Sequence, residues 1–326
     1  MSDLVTTDLE VAVSKISQGY LCAIPTETVY GLAASATNPT AIARVFEAKG
    51  RPTDHPLIVH VAEVQTANLW IKDLPKWTEQ LVNEYWPGPL TIVGSRTELA
   101  SNQITAAQET VAVRVPDHPV ALKLLAMLRD QGIPGIVAPS ANKFGQVSPT
   151  TAKHVINDLG HYLEAHNDIV LDGGACIVGI ESTIVLVTKD TPVILRPGII
   201  TAEDIERVTG IKPTSNTESN IKVSGNLAAH YSPKATVEVI NDVQNVEFKS
   251  PAGFIALSNI STPANLIRLA TPTTTNEFAS SLYSAMRLAD EQKLGRIYVV
   301  VPDANGIGSA LIDRISRAAH SKKHEI

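Results

Sequence analysis

The sequence predicts a mixed α/β protein of two domains, and three observations carry that reading. At 326 residues the chain is long enough for about two folding units, and an apolar content of 44% supplies cores for both. Short apolar runs that read as strands alternate with segments of helical period along most of the length. The alternation is interrupted once, at residues 212–226, where KPTSNTESNIKVSGN is polar and turn-rich and reads as a linker.

The elements follow in order. Residues 8–18 read as a helix, and 20–24 as a short strand running into P-T-E-T-V-Y-G. A helix over 40–48 stops at Lys49-Gly50, where glycine suits a helix end. Residues 57–61 form a buried strand and 76–85 a helix. Strands are predicted at 90–94 and 110–115, and a helix at 120–129 between Pro119 and Gly132. The run I-V-A-P-S-A-N starts as a strand and breaks at Pro139. A helix at 150–158, strands at 169–171 and 182–187 and a helix at 202–208 complete the first domain. After the linker come strands at 236–240 and 253–257, a helix at 276–291, a strand at 297–301 and a helix at 310–319. This alternation within about 90 residues predicts a small, mostly parallel, three-layer domain. The expected division is 1–209, a connection at 210–233, and 234–326.

Composition excludes several classes. Cys22 and Cys176 lie far apart and form no C-x-x-C, so neither a zinc site nor a disulfide framework is suggested. The start, MSDLVTTDLEVAV, carries early acids and no long apolar stretch, unlike a secretory signal, and runs such as 297–301 are too short to span a membrane. A cytosolic protein is expected. A formal charge of −6 argues against gripping nucleic-acid backbone as the main task, although a local basic patch is compatible with it.

Polar pairs recur at spacing two near the ends of apolar runs: Thr26 and Thr28, Lys49 and Arg51, Ser140 and Asn142. In extended chain, residues two apart share a face, so each pair could aim both side chains into one cleft. Singly, each pair also reads as ordinary turn formation near proline; three together favour a shared site. Lys49 and Arg51 fall where a helix has just ended, because Pro52 pushes Arg51 out of the α region. That loop suits an anion. Arg114 lies opposite the face of valines 111, 113 and 115 in T-V-A-V-R-V-P, and Arg196 precedes Pro197-Gly198 after V-I-L. Each arginine fits an exposed strand end or a guanidinium fork for carboxylate or phosphate equally well. Familiar phosphate loops are missing: there is no G-x-x-x-x-G-K-[ST] and no G-x-G-x-x-G after a strand. There is no H-E-x-x-H, and S-A-N after proline is not a nucleophile elbow. His154, His161 and His166 read as decoration of a helix and its exit.

An ordered set of motifs goes further. P-T-E-T-V-Y-G-L at 25–32, A-K-x-R-P at 48–52, P-L-I-V-H at 56–60, W-P-G-P-L-T at 86–91 and A-P-S-A-N at 138–142 are followed by S-P-T at 148–150, G-I-E-S-T-I-V at 179–185 and L-R-P-G at 195–198. Over roughly residues 8–208 the chain closely resembles the threonylcarbamoyl-AMP synthase family, the YrdC-like proteins. H-Y-S-P at 230–233 and the C-terminal segment resemble its longer, two-domain form. The resemblance implies a YrdC-like open twisted mixed sheet with helices, followed by a smaller Rossmann-like three-layer α/β domain. It implies a nucleotidyltransferase that makes L-threonylcarbamoyl-AMP and pyrophosphate from L-threonine, bicarbonate and ATP. Mg2+ would be bound to the nucleotide, with no metal ligand assigned to protein side chains. The product would feed threonylcarbamoylation of tRNA by separate transfer proteins, with weak or no direct tRNA binding, as the acidic balance allows.

Carried over by position, Lys49, Arg51, Ser140 and Asn142 match the family's K-x-R and S-x-N tetrad. Thr28, His60, Arg114, Ser140 and Ser182 match positions around threonine and its carbamate. Arg51, His55, Thr110, Asn142, Thr150 and Arg196 match nucleotide contacts, as does His230 with Tyr231 in the linker. The linker is expected to close over the cleft, since water would hydrolyse the mixed anhydride. Three departures stand out: His55 replaces a usual asparagine, Phe144 a usual serine, and Ser224-Gly225 stands where serine-proline-glycine is commoner. Two other readings compete. An RNA-binding or ribosome-associated module is disfavoured by the charge and by few aromatics for base stacking. A carbamoyl-transfer enzyme of hydrogenase maturation would add acylphosphatase and zinc-finger segments, which this chain lacks.

Overall fold

The strongest local rules hold at the helix ends. A computed structural model describes residues 4–188, 190–215, 221–225, 229–244 and 246–320. Helix Pro39–Lys49 begins where the Asn38 side chain accepts from the Ala41 N–H and proline takes the first turn. It ends at Gly50 with φ +62. Its apolar residues Ala41, Ile42, Val45 and Phe46 recur at helical spacing and are buried. Helix Ala202–Thr209 opens on a capping box between Thr201 and Asp204.

Among the described residues the first domain holds one mixed sheet of 12 strands. At its centre, Gly31–Ser35 pairs antiparallel with Cys22–Ile24 and with Ile136–Val137. Ile136–Val137 runs antiparallel to Ile58–His60, which runs parallel to Thr110–Arg114. Leu90–Arg96 then pairs antiparallel with Thr110–Arg114 and parallel with Thr183–Val187, beside the antiparallel Pro192–Arg196. The ends of these central strands set the positions of Arg114, Ser182 and Arg196.

Helix Lys76–Tyr85 and strands Ile169–Leu171 and Thr236–Ile240 fall where the sequence predicts them. Besides the two-residue strands Val5–Thr6, Ile71–Lys72 and Thr214–Ser215, two five-residue strands are not legible in it. Gly31–Ser35 (GLAAS) lacks β-branched residues and is made a strand by its two neighbours. Leu266–Ala270 is a sheet edge with an exposed Ile267.

The second sheet is fully parallel, in the order Thr236–Ile240, Arg296–Val300, Ala252–Ile255, Leu266–Ala270. Helices Thr275–Glu291 and Gly308–His320 both pack on the face of Val237, Ile255, Ile297 and Val299. The opposite face, with Phe254 and Tyr298, is covered by irregular chain that includes Phe248. The three layers are therefore helices, sheet and loops. The expected connection starts as a strand, Thr214–Ser215, at the edge of the first sheet. Residues 216–220 and 226–228 of it lie outside the described residues. No helix among the described residues is long and apolar enough to cross a membrane.

The two domains share a core in which Val29, Val147 and Ile180 pack with Phe278, Leu282 and Tyr283. Arg287 forks onto Asp158 at 2.9 and 2.5 Å across this interface. Gly179 sits there with φ +81, and a Cβ would lie 2.5 Å from the Ser280 Cα. Gly179→Ala is expected to destabilise the chain by roughly 2–4 kcal/mol, combining backbone strain with overpacking. Chemical denaturation of the purified variant checks this, and an unchanged midpoint would contradict the close approach.

Candidate functional site

The T-E-T turn after strand Cys22–Ile24 supplies one wall of the cleft. Thr26 Oγ1 donates to the Val29 carbonyl at 2.7 Å and lies 2.8 Å from Thr28 Oγ1. Thr28 Oγ1 also accepts from Arg114 Nη1 at 3.0 Å. Arg114 is not an exposed strand arginine: only 4% of it is accessible. Its Nη2 meets Glu27 Oε1 at 2.6 Å and its Nε donates to the Gly88 carbonyl at 3.2 Å. W-P-G-P-L-T thus supplies a backbone acceptor for the guanidinium. Its opposite-face placement holds, but both faces of this sheet are covered. His60 pairs in register with Arg114 and donates from Nδ1 to the Ile58 carbonyl at 3.2 Å, which leaves Nε2 as an acceptor. Burial, reinforced by Arg114, lowers the His60 pKa to about 3.

Lys49 closes helix Pro39–Lys49, and the left-handed Gly50 turns the chain so that Arg51 leaves in another direction. The pair is therefore not an extended-strand pair; a helix stop separates its members. Lys49 Nζ donates to the carbonyls of Ser140 and Asn142 at 2.5 and 2.6 Å, tying K-x-R to S-x-N through the main chain. Arg51 Nη2 donates to the Pro56 carbonyl at 2.9 Å. Burial, and then the Arg51 charge, hold the Lys49 pKa well below the usual lysine range. Burial, with a smaller push from Arg196 against a stabilising Tyr231, brings Arg51 down to about 10.

The far wall comes from G-I-E-S-T and L-R-P-G. Arg196 donates from Nε and Nη2 to the Ser182 carbonyl at 3.1 and 3.0 Å, and from Nη2 to Ser182 Oγ at 3.1 Å. Its Nη1 donates to the Ser224 carbonyl of the connection at 2.9 Å. Ser182 Oγ lies 2.8 Å from Thr91 Oγ1. Gly225 has φ +89, and a Cβ there would lie 2.3 Å from the Tyr231 hydroxyl. The Ser224-Gly225 departure thus occupies a place where only glycine fits. His230 is neutral, its pKa lowered to about 3 chiefly by burial.

One cavity gathers Thr28, His60, Arg114, Ser140, Ser182, Arg196, His230 and Tyr231, with Thr26, Glu181 and Ser224 beside them. Lys49, Arg51 and Asn142 are not among its lining residues; Lys49 reaches it through the Ser140 carbonyl, and Arg51 approaches it through Phe144, which meets His230. Thr110 lines an adjoining hollow that shares Ile58 and Ser224. Thr150 is turned toward the second domain, its hydroxyl 3.3 Å from His154 Nδ1 and 3.0 Å from Ser284 Oγ. His55 and Phe144, two departures from the family pattern, touch each other edge-on at 5.2 Å between ring centroids. Phe144 also covers Arg51 at 5.6 Å and meets His230 at 6.1 Å. Two residues were not foreseen: the buried carboxylates Glu27 and Glu181. Each lies within a quoted motif, between or beside hydroxyl residues, and that placement was the available clue.

Seven buried side-chain N or O atoms among the described residues have no hydrogen-bond partner, and five belong to this neighbourhood: Glu27 Oε2, Arg51 Nε, Asn142 Oδ1, His230 Nδ1 and Tyr231 Oη. Buried polar atoms are normally satisfied, so their concentration marks a place built for a polar ligand. No group of three or more His, Cys, Asp or Glu side chains among the described residues could hold a metal ion.

The fold and this cleft define an α/β protein that receives a small anionic ligand beside the junction of two domains. Residues 14–198 match the Sua5/YciO/YrdC family, described as "Telomere recombination", and residues 200–320 match "Threonylcarbamoyl-AMP synthase, C-terminal domain". Threonylcarbamoyl-AMP synthase of Pyrococcus abyssi is 36% identical, covering 95% of this chain and 94% of that protein. The Bacillus subtilis protein of the same name is 35% identical over 97% of this chain and 95% of its own length. The solved structure of P. abyssi Sua5 complexed with L-threonine superposes with a TM-score of 0.84 at 34% identity, covering 95% of this chain and 94% of that one. The chain belongs to the threonylcarbamoyl-AMP synthase family, in its two-domain form.

The two neutral histidines give the stability a sign. The unfolded chain binds protons near pH 6.5 that the folded chain binds only near pH 3, so acidification favours unfolding. Between pH 7 and 5 each histidine removes about 2 kcal/mol of stability. His154, lowered to about 4 by burial and Arg287, acts in the same window. Melting temperature should fall across that range, and His60→Gln should make the fall shallower. An identical slope in His60→Gln would refute the neutral, buried His60.

Proposed function

We infer that this chain is an L-threonylcarbamoyladenylate synthase. It converts L-threonine, bicarbonate and ATP into L-threonylcarbamoyl-AMP and pyrophosphate, as a nucleotidyltransferase. The observation that carries the reading is a hydroxyl-lined cavity that holds the buried Arg114 and Arg196 and whose Ser140 is bonded through its carbonyl to the buried Lys49.

The chemistry needs positioning more than proton transfer. Bicarbonate carboxylates the threonine amine with loss of water. A carbamate oxygen then bonds to the α-phosphorus, and the bond from that phosphorus to the bridging β-oxygen breaks. Pyrophosphate leaves with the electron pair. Thr28, His60, Arg114, Ser140 and Ser182 surround threonine and its carbamate in this reading. Arg114 keeps one N–H on each terminal nitrogen beyond those given to Thr28 and Glu27, which suits a carboxylate. Neutral His60 offers an acceptor without adding charge. On the nucleotide side stand Arg51, His55, Thr110, Asn142, Thr150 and Arg196, with His230 and Tyr231 from the connection. Lys49 has one N–H left after its two carbonyl partners, and with Arg51 it offsets charge building on the α-phosphate.

An incoming triphosphate supplies opposite charge that favours the protonated form of Lys49. Magnesium arrives on the nucleotide's phosphates in this reading, with no metal ligand assigned to protein side chains. The connection, through Ser224, His230 and Tyr231, closes the cleft against water. The product passes to separate proteins that transfer it to tRNA, with little direct hold on tRNA by this acidic chain, and a cytosolic setting suits these substrates.

Pyrophosphate release should require ATP, threonine and bicarbonate together, and omitting any one should abolish it. Lys49→Ala and Arg51→Ala should each slow the reaction roughly 100-fold or more in protein with an unchanged circular dichroism spectrum. An unaltered rate in either folded variant would overturn the assignment.

A further inference from the structure

The second domain reaches the back of this cleft through two side chains. Arg314, fully buried on helix Gly308–His320, donates from Nε to Glu181 Oε2 at 3.0 Å and from Nη2 to the Pro197 carbonyl at 3.0 Å. Tyr283, fully buried on helix Thr275–Glu291, donates its hydroxyl to the same Glu181 oxygen at 2.9 Å. Ser148 holds the other Glu181 oxygen at 2.5 Å. Glu181 precedes Ser182 and Pro197 follows Arg196, while Arg196 grips Ser182 at three points. One guanidinium therefore fastens both chain segments whose neighbouring residues face the cleft, and the contacts close into a ring: Arg314, Glu181, Ser182, Arg196, Pro197.

We propose that Arg314 and Tyr283 are positioning residues of the second domain that fix Ser182 and Arg196 through the Glu181 carboxylate and the Pro197 carbonyl. The inference rests on the reading that Ser182 faces threonine. Docking alone does not explain these contacts. The domains are already joined by the Arg287–Asp158 fork and by Thr150 with Ser284, neither of which touches residues 181 or 197, and by the apolar contacts of Phe278 and Leu282. Arg314 also lies 5.1 Å beneath the Tyr231 ring, which stacks on Tyr283 at 5.7 Å. The same two side chains thus seat the connection where it borders the cleft. A lysine at 314 keeps the charge but has no planar fork to serve both 181 and 197.

The test uses the full chain, with threonine affinity measured by calorimetry and KM and kcat measured by pyrophosphate release. Tyr283→Phe, which removes one hydrogen bond, should weaken threonine binding roughly 3- to 10-fold. Arg314→Lys should weaken it roughly tenfold or more, with kcat at saturating threonine much less affected. The double variant Glu181→Gln/Arg314→Met leaves no unpaired buried charge, and its threonine KM should remain raised. Asp158→Asn, which loosens docking elsewhere, should lower the melting temperature while leaving threonine KM unchanged. Wild-type threonine affinity in Arg314→Lys, or in Tyr283→Phe should the former not fold, would overturn the proposal. So would a rise in KM for Asp158→Asn equal to that of Arg314→Lys. If the wild-type chain itself bound no threonine, the reading of the pocket would fall and this inference with it.

Discussion

Four buried cations, two lining one cleft and two close by it, are the constraint around which the first domain is arranged. Lys49, Arg51, Arg114 and Arg196 are each at most 6% accessible, and burying like charges together is expensive unless every one is bonded. The chain meets that demand mainly with backbone carbonyls. Ser140 and Asn142 face Lys49, Pro56 faces Arg51, Gly88 faces Arg114, and Ser182 and Ser224 face Arg196. Carbonyls free of ladder bonds occur at strand ends and turns, which is why the cleft lies there and why its motifs are rich in proline and glycine. Only Glu27 and Glu181 bring countercharge from buried carboxylates. The residual positive field is what an anionic ligand completes.

The two carboxylates divide the cleft. Glu27 balances Arg114 on the wall built by the T-E-T turn, at 2.6 Å. Glu181 is bound from behind and meets Arg196 only through space. Burial alone would raise the Glu181 pKa, yet Arg314, Arg196 and Ser148 together pull it down to about 2. Arg114 is thus partly neutralised by Glu27, while Lys49 and Arg51 hold no carboxylate among the described contacts. A gradient of unbalanced charge runs from the Arg114 wall toward Lys49 and Arg51. Neutral His60 and His230 leave that gradient intact, since protonating either would add charge between arginines.

Much of this was legible in the sequence, because element ends are written in local chemistry. Asn38 with Pro39 and Gly50 fix one helix, Thr201 with Asp204 and Gly210 another, and the polar pairs mark where strands stop. The direction of side chains was less legible. Spacing-two reasoning puts Lys49 and Arg51 on one face of extended chain, but Gly50 at φ +62 lies between them. The same rule turns Glu27 away from Thr26 and Thr28, whereas a tight turn lets the threonines line the cleft and Glu27 meet the Arg114 that lines it too. Arg114 could not be placed inside or outside from its own strand, because the covering layer comes from residues far away in sequence. Glu181 was invisible for a stronger reason: its partners, Arg314 and Tyr283, lie more than 100 residues downstream.

That last relation bears on why two domains act as one. A carboxylate held in the interior is tolerable only where a cation and hydrogen-bond donors reach it. In this chain the first domain supplies a hydrogen bond from Ser148 and the field of Arg196 at a distance, while the cation bonded to the carboxylate comes from helix Gly308–His320. The first domain without the second would leave Glu181 stripped of Arg314 and Tyr283 one residue from Ser182, free to draw Arg196 away from its three bonds to that serine. Glycine at 179 carries the same dependence in backbone form, since its bare Cα is what lets helix Thr275–Glu291 approach the segment at all. Placing Glu181 beside the cleft therefore commits the first domain to its neighbour, and the geometry of one wall of the pocket becomes a property of the assembled pair.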